Sequence, residues 1–404
     1  MIARAGAALV LLLTTIQGVA VAQTPGADPL ETATIRVGPF GINPTLAVRE
    51  LGVDNNVFND STNPKSDFTF TLTPRAEVLF RPRRFRITYI SAVDYVYYQK
   101  YTSERGTNQS SQVKVEVDLG RLKPFVTAGG ASTRERYNQE IDARARHNDR
   151  TYGGGVALQV ASRTTLTAAV RRTTTDFEQG SIFRGEDLAR AFNSRLDAFD
   201  GTFGLQLTPI TSFSLVVTEE RQRFDMSPER DSDTTRVTPT LTFSPGGLLN
   251  GSAAIGYRHF NGRSPSLPDY SGLVAVVNVG ATISGRHRLD TTFGRDLRYS
   301  YDEATPYYLT TGGTVILTTE IAGPVDVKVT GTRQNLDYSH STGVSLRPAN
   351  DSYTSYGGGV GYRIRQRVRL GINADWSHRK SDRAADRAFR NHRIFGTVTW
   401  GIAQ

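Results

Sequence analysis

The sequence predicts an all-β fold: a transmembrane antiparallel up-and-down β-barrel of about 18 strands (16–18), following a cleaved signal peptide. Three observations carry that expectation. Short turn clusters recur at intervals of about 40 residues, the runs between them alternate apolar and polar residues, and past the N-terminus no stretch is continuously apolar. Composition agrees. Hydrophobic residues make up 38% of the 404, too few for a bundle of membrane helices, yet 38 Gly, 19 Phe and 17 Tyr are spread along a chain that does not thin into disorder. The absence of Cys removes disulfides, thiolate metal sites and cysteine nucleophiles. Lys plus Arg number 48 against 39 Asp plus Glu, a formal charge of +9, but the bases are interleaved with acids and form no block suited to nucleic acid.

The first element is a targeting signal. Arg4 precedes an apolar run from Ala5 to Leu13, and Ala20-Val21-Ala22 precedes Gln23 in the A-x-A pattern of a cleavage site. The apolar run is much shorter than the ~20 residues needed to cross a bilayer. The chain therefore divides into a signal peptide (1–22), an N-terminal periplasmic segment (23–40) and an outer-membrane barrel (41–404).

The short turn clusters come next. They fall near Arg81–Arg84, Gly120–Lys123, Ala161–Thr164, Pro209–Ser212, Ser244–Leu248, Ser284–His287, Ile321–Pro324 and Ile364–Arg367. Between them lie nine longer polar loops: Asn55–Lys65, Thr102–Asn108, Gln139–Asn148, Glu178–Ser194, Ser227–Asp231, Gly262–Pro268, Asp302–Thr305, Ser339–Ala349 and Lys380–Ala388. Each long loop joins a hairpin of two strands, hence the 18. Short turns at one end and longer loops at the other are the asymmetry of an outer-membrane barrel, with the turns periplasmic and the loops outside. Glu178–Ser194, the longest loop, is the candidate to fold inward.

The strands themselves have period two. Val113, Val115, Val117 and Leu119 alternate with Lys114, Glu116 and Asp118, and Val368, Leu370, Ile372, Ala374 and Trp376 alternate with Arg367, Arg369, Asn373 and Asp375. These runs extend to roughly a dozen residues, beyond the ~5–6 of soluble strands. Aromatic residues gather near the strand ends: Phe85, Tyr89, Tyr95, Tyr97, Tyr257, Phe260, Phe293, Tyr299, Tyr301, Tyr307, Tyr308, Trp376, Phe395 and Trp400. The expectation is a pair of interfacial girdles.

The first hairpin carries Leu51-Gly52-Val53-Asp54-Asn55-Asn56-Val57-Phe58, preceded by Pro44, Leu46 and Val48 and followed by Ser66-Asp67 and Pro74. It resembles the opening signature of the β-barrel porin family of the second type, bacterial outer-membrane β-barrels often linked to exopolysaccharide export. The hairpin pattern continues to the C-terminus, so the resemblance spans essentially the whole mature chain. It implies an 18-stranded porin-like barrel in the outer membrane of a Gram-negative cell, in some cases a polysaccharide exit, and supplies no catalytic residues. Barrels of this kind generally end in an aromatic residue; here Trp400 is followed by Gly401-Ile402-Ala403-Gln404. Asp54, Asn55 and Asn56 read as turn formers rather than a calcium loop.

The search for chemistry yields little. His147, His259, His287, His340, His378 and His392 are scattered without metal-ligand spacing, and Ser377 and His378 are adjacent on a strand and so face opposite ways. Tyr152-Gly153-Gly154-Gly155-Val156 recurs as Tyr356-Gly357-Gly358-Gly359-Val360 without the G-K-[ST] of a phosphate loop, and is read as wall curvature. No enzyme, cofactor or metal is expected. Candidate lumen-lining residues are Arg75, Arg86, Lys114, Arg171, Arg236, Arg288, Lys328, Arg367, Arg369 and Asp375, serving either as an anion-biased lining or as a network of paired charges stiffening the wall. The expected function is passage of polar solutes or exported polysaccharide through the lumen. The alternative is a plugged barrel acting in binding or adhesion through its surface loops. Expected partners are outer-membrane lipid and lipopolysaccharide, the barrel assembly machinery and periplasmic polysaccharide export components, with no nucleic acid.

Overall fold

The computed structural model describes residues 29–244, 247–343, 349–365 and 367–401; the expected signal peptide lies outside the described residues. Eighteen long strands follow one another: β1 (Phe40–Asp54), β2 (Asp67–Phe80), β3 (Phe85–Tyr98), β4 (Gly106–Val117), β5 (Leu122–Thr133), β6 (His147–Ala161), β7 (Thr164–Phe177), β8 (Ser194–Thr208) and β9 (Thr211–Phe224). After them come β10 (Ser232–Phe243), β11 (Leu249–Gly262), β12 (Tyr270–Ile283), β13 (His287–Tyr299), β14 (Tyr307–Ala322), β15 (Val325–Ser339), β16 (Ala349–Ile364), β17 (Val368–Ser381) and β18 (Phe389–Trp400). Each strand pairs antiparallel with the next, and β18 returns to β1 in register from Leu46↔Trp400 to Asp54↔Arg393. The sheet is a closed barrel. Closure leaves no strand edge with unpaired amides, the condition for placing strands in hydrocarbon.

The strand bounds put the eight short connections and nine long ones where the turn chemistry expects them; residues 245, 246, 344–348 and 366, within three of them, lie outside the described residues. Arg83, Ser284 and Arg365 adopt positive φ in three of the tight turns, which lets two-sided strand runs reverse within a few residues. The alternation also holds. Val113, Val115 and Val117 of β4 face outward while Lys114 and Glu116 face inward, and the outward set along the wall includes the exposed Val126, Val170, Ile255, Val329, Ile372 and Ile394. An apolar exterior around a polar interior inverts the usual soluble pattern, as a lipid solvent requires.

The barrel closes at the signature of the first hairpin. β1 carries a bulge across residues 49–52, with register shifts against both β2 and β18 and Glu50 at φ 55°. Gly52 is demanded by the approach of β18, because a Cβ there would strike the Ile394 carbonyl oxygen. Beyond it, the Asn55 amide N–H donates to the His392 carbonyl (3.2 Å), Asn56 Nδ2 donates to the Arg390 carbonyl (3.0 Å), and Asn391 Nδ2 donates to the Asn56 carbonyl (3.3 Å). The Asn56 amide N–H donates to Asp54 Oδ1 (2.9 Å), the Asx turn expected of these residues. The motif is thus the latch between first and last strands. At the other end of the seam, where β18 stops at Trp400, Ile35–Val37 pairs with Phe40–Ile42 and continues the sheet in its place.

The recurring glycines have a different role from simple curvature. Gly357, Gly359 and Gly361 stand on the inner face of β16, where a Cβ would strike Asp375 Oδ1, Asn373 Oδ1 and the Arg369 guanidinium of β17. They make room for the neighbouring strand's polar side chains to lie flat on the wall. Gly153 and Gly155 on β6 instead approach the carbonyls of Val170 and Ala168.

Candidate functional site: a roofed lumen

Nine of the ten candidate lining residues lie on the inner face of the closed sheet: Arg75 (β2), Arg86 (β3), Lys114 (β4), Arg171 (β7), Arg236 (β10), Arg288 (β13), Lys328 (β15), and Arg369 and Asp375 (β17). Arg367 sits in the turn before β17. Most of the nine are tied into ion pairs. Glu116 faces both Arg86 (3.6 Å) and Lys114 (3.3 Å); Arg236 and Arg258 share Glu220 and Asp296; Arg288 meets Asp290 (2.8 Å); Arg369 and Arg363 converge on the buried Asp326. Asp375 accepts from Arg393 (3.1 Å). The Asp326 carboxylate, almost wholly enclosed, lies between the guanidiniums of Arg363 and Arg369, a geometry that leaves no buried charge unpaired. Arg75, Lys123 and Lys328 have no carboxylate in ion-pair contact among the described residues, while the inward Glu77 and Asp200 are met by Asn43 and Thr218 rather than by a base.

The end with the long loops holds a second structure that alternation could not announce. Residues 134–146, between β5 and β6, reach the opposite side of the ring. Glu140, fully buried, accepts hydrogen bonds from Ser300 Oγ (2.6 Å), in the β13–β14 loop, and from Arg383 (3.1 Å), in the β17–β18 loop. Arg379 donates to the Gln139 carbonyl (2.7 Å) and pairs with Asp351; Arg387 pairs with Asp351 (2.9 Å) and donates to the Glu140 carbonyl (3.2 Å). On the near side Arg136 and Arg144 donate to the Val57 carbonyl (2.9 and 3.1 Å), and Asn59 Nδ2 donates to Asp142 (2.9 Å). Strands β5 and β13 are eight positions apart in a ring of 18, so this segment spans the mouth.

The longest loop also turns inward, as its length suggested, but it lies on this strut rather than crossing alone. Its hairpin (Ile182–Phe183 with Glu186–Asp187) and short helix α1 (Leu188–Phe192), capped by Asp187 through the Ala189 N–H (2.9 Å), bring Leu188, Ala189 and Phe192 against Ile141, Phe177 and Tyr301. Arg230 enters the same layer: only 2% exposed, it donates to the carbonyls of Ser300 and Tyr301. The result is a small apolar core fastened by arginines, a roof over the lumen. An open cleft of about 370 Å³ remains on it, bordered by Phe58, Asp142, Phe183 and Arg184 among others.

The roof corrects the aromatic expectation. Phe85, Tyr89, Tyr95, Tyr257, Phe293, Trp376 and Trp400 are exposed on the wall, consistent with girdle positions. Phe260, Tyr301, Tyr307 and Tyr308 are buried instead, and Tyr299 packs on Phe224 (4.8 Å) and shares a hydrogen bond with Ser232 Oγ (2.6 Å). The physical reason lies in the ladder. β13 leaves β12 after Ala275↔Arg295 while β14 stays paired with β15 to Tyr307↔Ser339; Phe260 and Tyr308 take inward positions of their strands, with Arg258 and Thr310, and Tyr301 lies in the loop after β13, so these rings pack under and into the roof. Phe395, also expected in a girdle, lies beneath the Arg393 guanidinium on the inner face.

Two roof carboxyls are electrostatically strained. Burial raises the Glu140 pKa above its ordinary value despite Ser300, Arg387 and Arg383. Glu135 is pushed up to about 7, first by burial and then by the nearby carboxylates of Asp94 and Glu50. Sequence reasoning missed these residues and Arg230. The one available signal was the four-residue spacing of Arg379, Arg383 and Arg387 around a loop.

The other candidates do not assemble chemistry. His147 is buried in the roof core, stacked on Phe177 (5.0 Å), and Ser377 and His378 occupy opposite faces of β17. Among the described residues no group of three or more His, Asp or Glu is placed to hold a metal ion, and no helix is long and apolar enough to cross a membrane.

A closed 18-stranded barrel, apolar outside and charged within, with long loops at one end, defines an outer-membrane barrel of the porin class. The chain belongs to the family described as "Putative beta-barrel porin 2", which matches residues 28–401. It is a protein of the bacterial outer membrane. Among solved structures it is similar to OccK2 (OpdF) of Pseudomonas aeruginosa, with TM-score 0.51 and 12% identity over 89% of this chain and 97% of that one. A BenF-like porin from Pseudomonas fluorescens Pf-5 gives TM-score 0.50 and 12% identity over 89% and 98%. The FrpB iron transporter of Neisseria meningitidis (F3-3 variant) gives 0.46 and 11% over 88% of this chain, which spans 64% of that protein's length. No curated protein matches the chain.

Proposed function

We propose that the barrel is a passive conduit for polar, acidic solutes, with exported polysaccharide as the favoured class, and that it performs no covalent chemistry. The carrying observation is the charged inner face, on which Arg75, Lys123 and Lys328 remain without a carboxylate in ion-pair contact among the described residues. A lumen of 16–18 strands can hold an aqueous channel, and unpaired cations along it favour anions. The OccK2 barrel is described in complex with glucuronate, an acidic sugar; that ligand class is a natural first probe here. A glycan exit would receive its chain from periplasmic export components, and the barrel would reach the membrane through the assembly machinery.

The roof supports a second reading, in which the mouth is shut and the loops bind at the cell surface, because its apolar core is the packing of a permanent plug. Single-channel conductance of refolded residues 23–404 separates the two. Conducting steps blocked by oligoglucuronate support the conduit; a folded, heat-modifiable barrel that never conducts, even after residues 137–145 are replaced by a Gly-Ser linker, overturns it in favour of surface binding.

A further inference from the structure

Five arginines point out of the wall at the extracellular ends of four consecutive strands: Arg150 (β6), Arg172 (β7), Arg195 (β8), and Arg221 and Arg223 (β9). Alternation fixes their direction, since they share parity with the exposed Tyr152, Val170, Phe199 and Val217. The ladders set them in two rows. Arg172, Asp197 and Arg221 are successive cross-strand neighbours, and one step nearer the loops Arg150 pairs with Thr174, Thr174 with Arg195, and Arg195 with Arg223. Adjacent strands lie ~4.8 Å apart, so one phosphorylated disaccharide could touch three strands at once.

The lower row begins one outward step above Val170 and Phe199, both half-exposed and apolar. That is the height at which acyl chains give way to headgroups. The outward positions at the same end of β2 to β4 are Phe70, Tyr97, Thr107 and Gln109, those of β16 are Asn350, Ser352 and Thr354, and β17 and β18 offer Lys380 and Arg390, so the arginine rows are densest on β6 to β9. Its charges are only partly neutralised. Asp197 engages Arg172 (2.5 Å) and Arg195 (3.3 Å), and Arg223 engages Asp233 (2.6 Å), whereas Arg150 and Arg221 have no ion-pair partner among the described residues.

Guanidinium groups held at a lipid boundary are costly unless they meet an anion, and their planar fork matches phosphate. We infer that β6–β9 form a docking surface for the phosphorylated sugar headgroup of lipopolysaccharide, with Arg150, Arg195 and Arg221 as the phosphate donors. Charge complementarity selects this occupant: five guanidiniums face the membrane against the four outward carboxylates of Asp176, Asp197, Glu219 and Asp233, two of the five, Arg150 and Arg221, have no ion-pair partner among the described residues, and the rows sit at headgroup height above an apolar band.

The test measures binding of diphosphorylated and enzymatically dephosphorylated lipid A to the full mature barrel by native mass spectrometry, for the native chain, the triple variant Arg150→Gln/Arg195→Gln/Arg221→Gln, and Arg333→Gln, an outward arginine on β15. The expected result is at least about a tenfold loss of diphosphorylated lipid A binding in the triple variant, no change in Arg333→Gln, and native binding of the dephosphorylated lipid no stronger than the triple variant's. Equal binding of both lipids by the native barrel, or equal losses in the triple and β15 variants, overturns the inference. So does a dimer of the native barrel that the triple variant loses while keeping its lipid, which assigns the patch to a second copy. Heat modifiability of each variant shows whether the wall is intact, and Arg150→Lys/Arg195→Lys/Arg221→Lys, retaining charge, should recover most binding.

Discussion

The two ends of this barrel solve the same problem, reversing the chain seventeen times around a ring, in opposite ways. At the periplasmic end the connections are tight, with positive φ at Arg83, Ser284 and Arg365, and they add nothing to the core. At the extracellular end the connections build a second core around Ile141, Leu188 and Phe192, bolted by Arg230, Arg379 and Arg387. The wall is held by main-chain ladders that depend little on side-chain identity. The roof is held by particular side chains, so it can be dismantled without the wall.

The most disruptive way to break that distinction is at the latch, where the wall itself depends on one residue. Gly52→Val forces a side chain into the Ile394 carbonyl and should abolish the heat-modifiable folded band; overpacking of this kind costs ~1–3 kcal/mol even where the structure can yield, and a backbone atom cannot. A normal folded yield would show that β18 closes the barrel with slack.

Next in size are changes to the roof core. Ile141→Ala and Leu188→Ala remove fully buried side chains, each at ~2–5 kcal/mol. Electrophoretic mobility of the folded band should be unaffected while conductance rises or begins to flicker. A drop in folded yield equal to that of Gly52→Val would mean the two ends fold as one unit.

A smaller effect comes from protons. Glu135 has its folded pKa raised to about 7, so the packed loop binds more protons than a loosened one between the ordinary carboxylate value and 7. Roof stability therefore falls as pH rises through that window, by roughly 1 kcal/mol per pH unit at most. Channel opening should increase from pH 5.5 to 7.5 and level off above, and Glu135→Gln should flatten the profile. An unchanged profile in that variant would move the titration to another group, Glu140 first.

The smallest expected change is in selectivity. Arg75→Ala or Lys328→Ala should reduce anion preference, read as reversal potential in a salt gradient, with conductance altered by less than about twofold. A shift toward anions instead would mean that the paired network, not Arg75 and Lys328, sets the field.

How much of this was legible beforehand differs between the regions. The eighteen strands and their inward and outward faces could be read from Val113–Val117 and Val368–Trp376, because strand direction and period two leave a residue's side determined by parity. Nine candidate lining residues were placed on the inner face by that rule, and Arg367 fell in a turn because it lies just before β17. The aromatic reading did not separate Tyr95 and Trp376, which point outward, from Tyr308, whose place in the ladder points it inward, or from Tyr301, which lies in a loop where parity does not apply. The Gly triplets were read as curvature, but the room they leave for Arg369, Asn373 and Asp375 depends on the register of the adjacent strand.

The sequence by itself therefore determined the architecture: local turn chemistry and an apolar face of period two suffice when every strand pairs with its chain neighbour. Tertiary structure decided the latch, the roof and the charge pairing. Glu140 meets Ser300 and Arg383 across 160 and 243 residues of chain, and no local pattern encodes a contact whose two halves are brought together only when the ring closes.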